Sequence, residues 1–175
     1  MKMIFQREET ELQSVYKILL ENFSDERGAI VNLFDREQFP QFKIDKLSKS
    51  NKNVLRGLHG DSINDKLIYC LKGKFHLVVV NYDKNSDQYL QKVQIDMDEN
   101  SNFAVFVPKN FLNGHYCISE ECLFYYKWSE SYVKPEEQFS ILWSDETLKV
   151  QWPLLEDTPI LSPRDKNSKS LKEKK

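Results

Sequence analysis

The sequence predicts an all-β protein, either a sandwich or a small barrel of short strands. Apolar runs rich in Val, Ile, Leu, Tyr and Phe recur along the chain, each about the length of one strand. Polar or Pro/Gly punctuation separates them, as at Asp98-Glu99-Asn100-Ser101, Pro108-Lys109-Asn110, Ser119-Glu120-Glu121 and Lys134-Pro135-Glu136. Two of the strongest runs flank Lys72-Gly73-Lys74, which has the composition of a hairpin turn. Many short strands at such spacing bury their apolar faces by pairing into two sheets or a closed barrel.

In chain order, residues 12–20 and 28–34 read as short strands. The stretch between them, Asn22-Phe23-Ser24-Asp25-Glu26-Arg27-Gly28, has Ser and Asp followed by Gly, as a turn would. Leu12, Val15, Leu19 and Leu20 also fit the stripe of a helix over residues 11–21. Residues 35–41 are polar and contain Pro40, which suits a loop. Residues 42–47 alternate roughly, with Phe42, Ile44 and Leu47 set against Lys43, Asp45 and Lys46. The hairpin covers residues 66–82, with arms at 67–71 and 75–80. Further strands fit residues 89–95, 103–107, 115–118, 123–128 and 139–143. One domain over residues 1–165 is expected, followed by a flexible tail over 166–175. Five lysines and little apolar material in that tail predict a frayed, solvated end.

Composition narrows the function classes. A chain of 175 residues can bury roughly 70% of its unfolded surface. Its 40% hydrophobic and 13% aromatic content is too apolar for a disordered chain. A net charge of −2 leaves no broad basic field, so no nucleic-acid partner is expected. No run approaches the ~18 apolar residues of a membrane span. Met1-Lys2-Met3-Ile4-Phe5-Gln6-Arg7-Glu8 carries charges too early for a signal peptide. Cys70, Cys117 and Cys122 form no Cys-x-x-Cys pair and read as free buried thiols, which suits a reducing cytoplasm.

The chemistry concentrates in residues 53–61, Asn-Val-Leu-Arg-Gly-Leu-His-Gly-Asp. Arg56 offers a permanently charged fork for phosphate or carboxylate, and His59, three residues on, can move protons near neutral pH. His59, Asp61 and His115 also match, in form, the two-histidine, one-carboxylate set of non-heme iron. That pattern is short, and Asp61 opens a stretch that reads as an ordinary surface loop, so no metal and no cofactor are expected. His76, among Leu and Val, reads as a strand residue. Among five glycines there is no dinucleotide, P-loop or Gly-x-Ser-x-Gly signature. The cysteines lack the adjacent cations that activate a thiol. Proton transfer by His, Tyr, Lys and Asp remains.

Several blocks resemble the dTDP-4-dehydrorhamnose 3,5-epimerase family. They are Arg56-Gly57-Leu58-His59, Lys66-Leu67, Tyr125-Tyr126-Lys127, Trp143-Ser144-Asp145, Val150-Gln151-Trp152-Pro153 and Ile160-Leu161-Ser162-Pro163-Arg164-Asp165. Their order matches, and the resemblance runs from about residue 12 to 165. It implies a cupin-type double-stranded β-helix, a jelly-roll barrel with short peripheral helices, and a homodimer with exchanged N-terminal strands. The implied reaction is epimerisation at C3, C5 or both of a nucleotide-diphosphate-linked 4-keto sugar. By resemblance, His59 is the base, Asp165 its supporting carboxylate, Tyr126 the opposite-face acid and Lys66 the cation beside the enolate oxygen. Arg27 and Arg56 resemble diphosphate anchors, and Tyr132 resembles a tyrosine of the sugar pocket.

The chain departs from the family pattern at informative places. Asn113 stands where the family commonly has a histidine, and His115 follows two residues later, on the same face of a regular strand. Asn113 can hydrogen-bond a sugar oxygen but cannot move a proton. Positions that commonly contact the base are Ile30, Asn32, Ile44 and Lys46 here. A nucleotide other than thymidine is therefore expected, and GDP-linked 4-keto-heptose epimerases resemble the shorter loop between His59 and Lys66. The rival expectations are a 3,4-ketoisomerase on the same barrel, a metal-dependent cupin oxygenase or isomerase, and a silent binding module. The ketoisomerase pattern is His-x-His, and Asp61 breaks it.

Overall fold

The computed structural model describes residues 5–174. Its strands are β1 (Gln6–Glu9), β2 (Tyr16–Leu19), β3 (Glu21–Asp25), β4 (Gly28–Asn32), β5 (Ile44–Asn51), β6 (Leu55–Gly60) and β7 (Lys66–Lys72). They continue with β8 (Lys74–Asn81), β9 (Lys92–Asp98), β10 (Phe103–Val107), β11 (Phe111–Cys117), β12 (Glu121–Trp128) and β13 (Phe139–Ser140). A single turn of helix, α1 (Pro163–Lys166), and 3-10 turns at Pro135–Glu137 and Lys172–Lys174 are peripheral. One sheet runs β1-β2-β10-β7-β12-β5 and the other β13-β6-β11-β8-β9, while β3 and β4 form a separate hairpin. The two large sheets face each other as the expected jelly-roll barrel, and all their ladders are antiparallel.

Alternation along the strands makes three apolar layers. Phe75, Leu77 and Val79 of β8 point between the sheets and meet Ile68, Val105 and Phe124. Val78 and Val80 point outward, where Ile141 and Leu148 from the C-terminal segment cover them. On the outer face of the other sheet, Leu67 and Tyr69 are covered by Phe39 and Phe42. Central strands are therefore buried on both faces, which explains their nearly continuous apolar sequence.

Strands missing from the expected set are the polar ones. β1 reads Gln-Arg-Glu-Glu and is exposed, and it forms because β2 offers it a backbone ladder. β3 lies inside the stretch expected to be a turn, so the reversal tightens to Asp25–Gly28. β5 starts at Ile44 and runs on through Ser48-Lys49-Ser50 because each of its residues pairs with β12. β11 begins at Phe111, held between β6 and β8, which puts Asn113 and His115 on one strand. β9 lies three residues later than expected, and β13 shrinks to two residues. Leu12 and Val15 are core residues without a helix. The Thr10 hydroxyl accepts from Leu12 N at 3.2 Å and donates to Val15 O at 2.7 Å, stapling a turn instead.

The tail is not frayed. Leu171 packs against the outer apolar layer, its N–H donates to Asp145 Oδ2 at 2.7 Å, and Leu142 N donates to Lys169 O at 3.0 Å. Lys166, Lys169, Lys172 and Lys174 stay solvated while one leucine and two backbone groups hold the tail, which lysine content alone could not reveal. Removing residues 169–175 should therefore lower stability by about 1–3 kcal/mol, the combined scale of one partly buried leucine and the hydrogen bonds beside it. Urea unfolding of the shortened chain measures this, and unchanged stability would restore the picture of a solvated tail.

Candidate active site

The site forms where β6 and β11 lie unusually close. A Cβ on Gly57 would stand 2.5 Å from Gly114 Cα, and one on Gly114 would stand 2.9 Å from Arg56 O. Gly57 also has φ +141°, a conformation that L side chains rarely adopt. A register shift between Asn113 and His115 then sets His59 opposite Asn113 and Arg56 opposite His115. The Arg-Gly-Leu-His block is thus a strand in itself, with its glycine at the closest approach.

The C-terminal segment returns to this strand. Ile160 N donates to Asn53 O at 2.8 Å and Leu55 N donates to Ile160 O at 3.0 Å, which aligns residue 160 beside the start of β6. Ser162 then caps α1, accepting from Asp165 N at 3.1 Å and donating to Asp165 Oδ2 at 2.9 Å. The other carboxylate oxygen, Oδ1, lies 2.7 Å from His59 Nε2. Asp165 is buried, and burial opposes its ionisation. The His59 contact, the Ser162 hydroxyl and Arg164 outweigh burial and hold its carboxyl below the usual range.

A cavity of about 310 Å³ opens in front of this pair. His59, Asp165, Lys66, Tyr126, Arg56, Asn113, His115, Tyr132 and Lys46 all line it. Tyr126 comes from β12, in the sheet facing the one that carries His59. Neighbouring Tyr125 points to the outer face, where its hydroxyl donates to Asp45 Oδ1 at 2.9 Å. Burial raises the Tyr126 phenol above its ordinary value, although Arg56 pulls it back in part. Lys66 is buried and donates to Asn113 Oδ1 at 2.8 Å. Burial lowers its ammonium to about 8, with Asp61 opposing and Lys46 reinforcing the shift.

His115 is also buried, stacked on Phe124 with centroids 4.2 Å apart, and its Nε2 lies 3.4 Å from Ser50 Oγ. Burial, then Arg56, pushes it down to about 3, so it is neutral near pH 7. The same Ser50 hydroxyl accepts from Arg56 Nε at 3.0 Å, while Lys49 O accepts from Arg56 Nη2 at 3.3 Å. Lys46 lies over the Trp128 and Tyr132 rings, 3.8 and 4.9 Å from their centroids.

One expected site residue is not brought here by its own chain. Arg27 sits at the tip of the β3–β4 hairpin, with 82% of its side chain exposed, and pairs with Asp25 at 2.5 Å. It does not line the cavity. Asp61 does not join His59 and His115 as an iron-type set either. Its Oδ1 accepts from Ile63 N and Asn64 N at 3.0 and 2.7 Å, and His59 faces Asp165 instead. Among the described residues no group of three His, Cys, Asp or Glu side chains is placed to hold a metal ion. The cavity adds Trp128, Gln138, Ser162 and Arg164, whose Nη1 donates to Gln138 Oε1 at 3.2 Å. Ser162 and Arg164 flank Asp165 in a block already singled out. Gln138 and Trp128 gave no signal of their own.

Comparison with known proteins bears on the family of the chain. The sequence profile of dTDP-4-dehydrorhamnose 3,5-epimerase matches residues 9–173. The Salmonella typhimurium dTDP-4-dehydrorhamnose 3,5-epimerase is 34% identical over 153 residues, 82% of each chain. The Methanothermobacter thermautotrophicus enzyme of the same name is 33% identical over 173 residues, covering 94% of this chain and 93% of its own. Two solved structures superpose over nearly the whole chain. The Elizabethkingia anophelis enzyme has a TM-score of 0.88 at 29% identity, covering 97% of this chain and 98% of its own. The Legionella pneumophila enzyme, solved with dTDP-4-keto-L-rhamnose, has a TM-score of 0.89 at 30% identity, covering 97% of this chain and 94% of its own. The chain therefore belongs to the dTDP-4-dehydrorhamnose 3,5-epimerase family, a family of isomerases.

Proposed function

We propose that this protein epimerises a nucleotide-diphosphate-linked 4-keto sugar at C3, C5 or both, using only its own side chains. The observation that carries this reading is the His59–Asp165 pair on one sheet facing Tyr126 on the other across one cavity. The ketone acidifies the hydrogens on C3 and C5. His59 takes one as a proton through the ring nitrogen not facing Asp165, and Asp165 stabilises the imidazolium that results. The electron pair moves to the C4 oxygen, where the Lys66 ammonium meets the developing charge. Tyr126, kept neutral by burial, gives its proton to the same carbon from the opposite face, and solvent then returns a proton to Tyr126 and takes the one held by His59. Arg56, held by Ser50 and Lys49, presents its remaining donors to the diphosphate, with Arg164 nearby.

The nucleotide is read from the relatives as dTDP, but the base face of this site is its own. Lys46 stands at a position that by resemblance contacts the base, and its placement over Trp128 and Tyr132 supports a second reading with a GDP-linked 4-keto sugar such as a heptose. Competition by dTDP and GDP distinguishes the two, and clearly tighter dTDP would remove the second. We also read the protein as a homodimer that exchanges N-terminal strands. Phe23 and Ile30 are cross-strand partners, 57% and 69% exposed, on a hairpin that joins neither large sheet. Exchange would carry Arg27 toward a partner's cavity. Free, buried Cys70, Cys117 and Cys122 support a cytoplasmic site of action.

Deuterium uptake from heavy water into C3 or C5 of candidate 4-keto sugars tests the activity directly. No uptake from any substrate would overturn it. His59→Asn should slow exchange at both carbons by about 10²–10⁴-fold, the usual contribution of a general base. Tyr126→Phe should lose net inversion more than exchange, because abstraction survives without the opposite-face acid.

A pH dependence follows from Lys66. The ammonium is the useful form and its value lies near 8, so kcat/KM for inversion should fall as pH rises through about 8. Tyr126, shifted upward, stays protonated there. Lys66→Arg, permanently charged, should keep a reduced activity and lose this alkaline limb, whereas an unmoved limb would assign it to another group.

A further inference from the structure

We propose that His115 is a positioning residue for substrate binding: through the Ser50 hydroxyl it holds Arg56 in the pose that receives the diphosphate. This inference rests on the reading of Arg56 as a diphosphate anchor. Arg56 and His115 are cross-strand partners on β6 and β11. The Arg56 side chain reaches across to β5, the last strand of the other sheet. There Ser50 Oγ accepts from Arg56 Nε at 3.0 Å, and Lys49 O accepts from Nη2 at 3.3 Å. Two donors of the fork are thus held by the protein, and the rest belong to a residue that lines the cavity.

The same hydroxyl joins Arg56 to His115. Ser50 is 2% exposed and His115 3% exposed, and His115 Nε2 lies 3.4 Å from Ser50 Oγ. An arginine can only donate, so the Ser50 oxygen accepts from it and the single hydroxyl hydrogen needs an acceptor elsewhere. His115 Nε2 is that acceptor, which places the imidazole proton on Nδ1. A proton on Nε2 would aim two donors at one oxygen and strand the hydroxyl hydrogen in a buried place. The ring is fixed by Phe124, stacked with centroids 4.2 Å apart at 12°, and by Phe75 at 5.5 Å. Burial against these rings, reinforced by Arg56, keeps the imidazole neutral near pH 7, as an acceptor must be. Asn113, two residues earlier on β11, accepts from Lys66 instead. The two side chains divide the work, Asn113 serving the lysine and His115 the arginine.

Calorimetry with dTDP and GDP reads the diphosphate site without requiring turnover, and the nucleotide that binds the parent more tightly serves for the variants. His115→Phe keeps the aromatic stack and removes the acceptor. It should weaken binding about three- to fivefold, the low end for one net hydrogen bond, as a 3.4 Å contact warrants. Ser50→Ala should weaken binding at least as much. With Ser50→Ala in place, His115→Phe should add little further loss, because the link it breaks is already gone. In turnover, His115→Phe should raise KM more than it lowers kcat. An equal loss from His115→Phe with and without the Ser50 hydroxyl would make His115 a direct ligand and overturn the proposal. Unchanged affinity in His115→Phe would overturn it too, as would a proton found on Nε2 by nitrogen NMR of the imidazole. The NMR reading uses the parent chain, so it decides the matter even where a variant does not fold. A parent that binds neither nucleotide would overturn the diphosphate reading itself, and this inference with it.

Discussion

The close approach of β6 and β11 is the constraint on which the rest of the site depends. Two glycines, Gly57 and Gly114, face each other where no Cβ fits, and the strands shift register beside them. His59 therefore opposes Asn113 and Arg56 opposes His115, so the proposed base and the proposed anion anchor sit on one wall a few residues apart. The facing sheet contributes Tyr126 and Lys66, and α1 brings Asp165 up behind His59. Each of these groups comes from a strand fixed on both sides, or from a capped turn tied by backbone hydrogen bonds to β6. Rigid placement matters for proton transfer, because base and acid must reach the same carbon from opposite faces.

The barrel was legible because its central strands are buried on both faces and read as apolar runs. The strands β7, β8 and β10 lie where the sequence put them, but β7 and β8 are not the expected hairpin. The chain crosses at Gly73 from one large sheet to the other, so β7 pairs with β10 and β12 while β8 pairs with β11 and β9. Edge strands were not legible in the same way. β1 and β3 carry no apolar pattern, and what makes them strands is a neighbour's backbone, which sequence periodicity does not record. The site divides similarly. His59, Asp165, Tyr126 and Lys66 were visible through short blocks with a chemical reason for each residue, and the structure gathers them around one cavity. Arg27 was visible by the same route, yet its own chain leaves it at an exposed hairpin tip. Asp61 was read as a surface loop residue because its neighbours are polar. It is buried because those neighbours turn their amides inward to bind it.

Charge placement joins these observations. A cavity that takes a diphosphate and an enolate, as proposed, needs cations, and burying several together drives protons off them. His115 resolves the conflict by giving up its charge, so Arg56 meets a neutral ring stacked on Phe124 rather than a second cation. Lys46 resolves it with the aromatic faces of Trp128 and Tyr132, which stabilise a cation without neutralising it. Lys66 has neither device. It lies buried with its ammonium on the Asn113 amide oxygen, and burial lowers it to about 8 although Asp61 opposes the shift. A direct ion pair would hold Lys66 more firmly but would also cancel the charge that the enolate oxygen needs. An ammonium hydrogen-bonded to a neutral amide keeps its charge available to the cavity, which suits the proposed epimerisation.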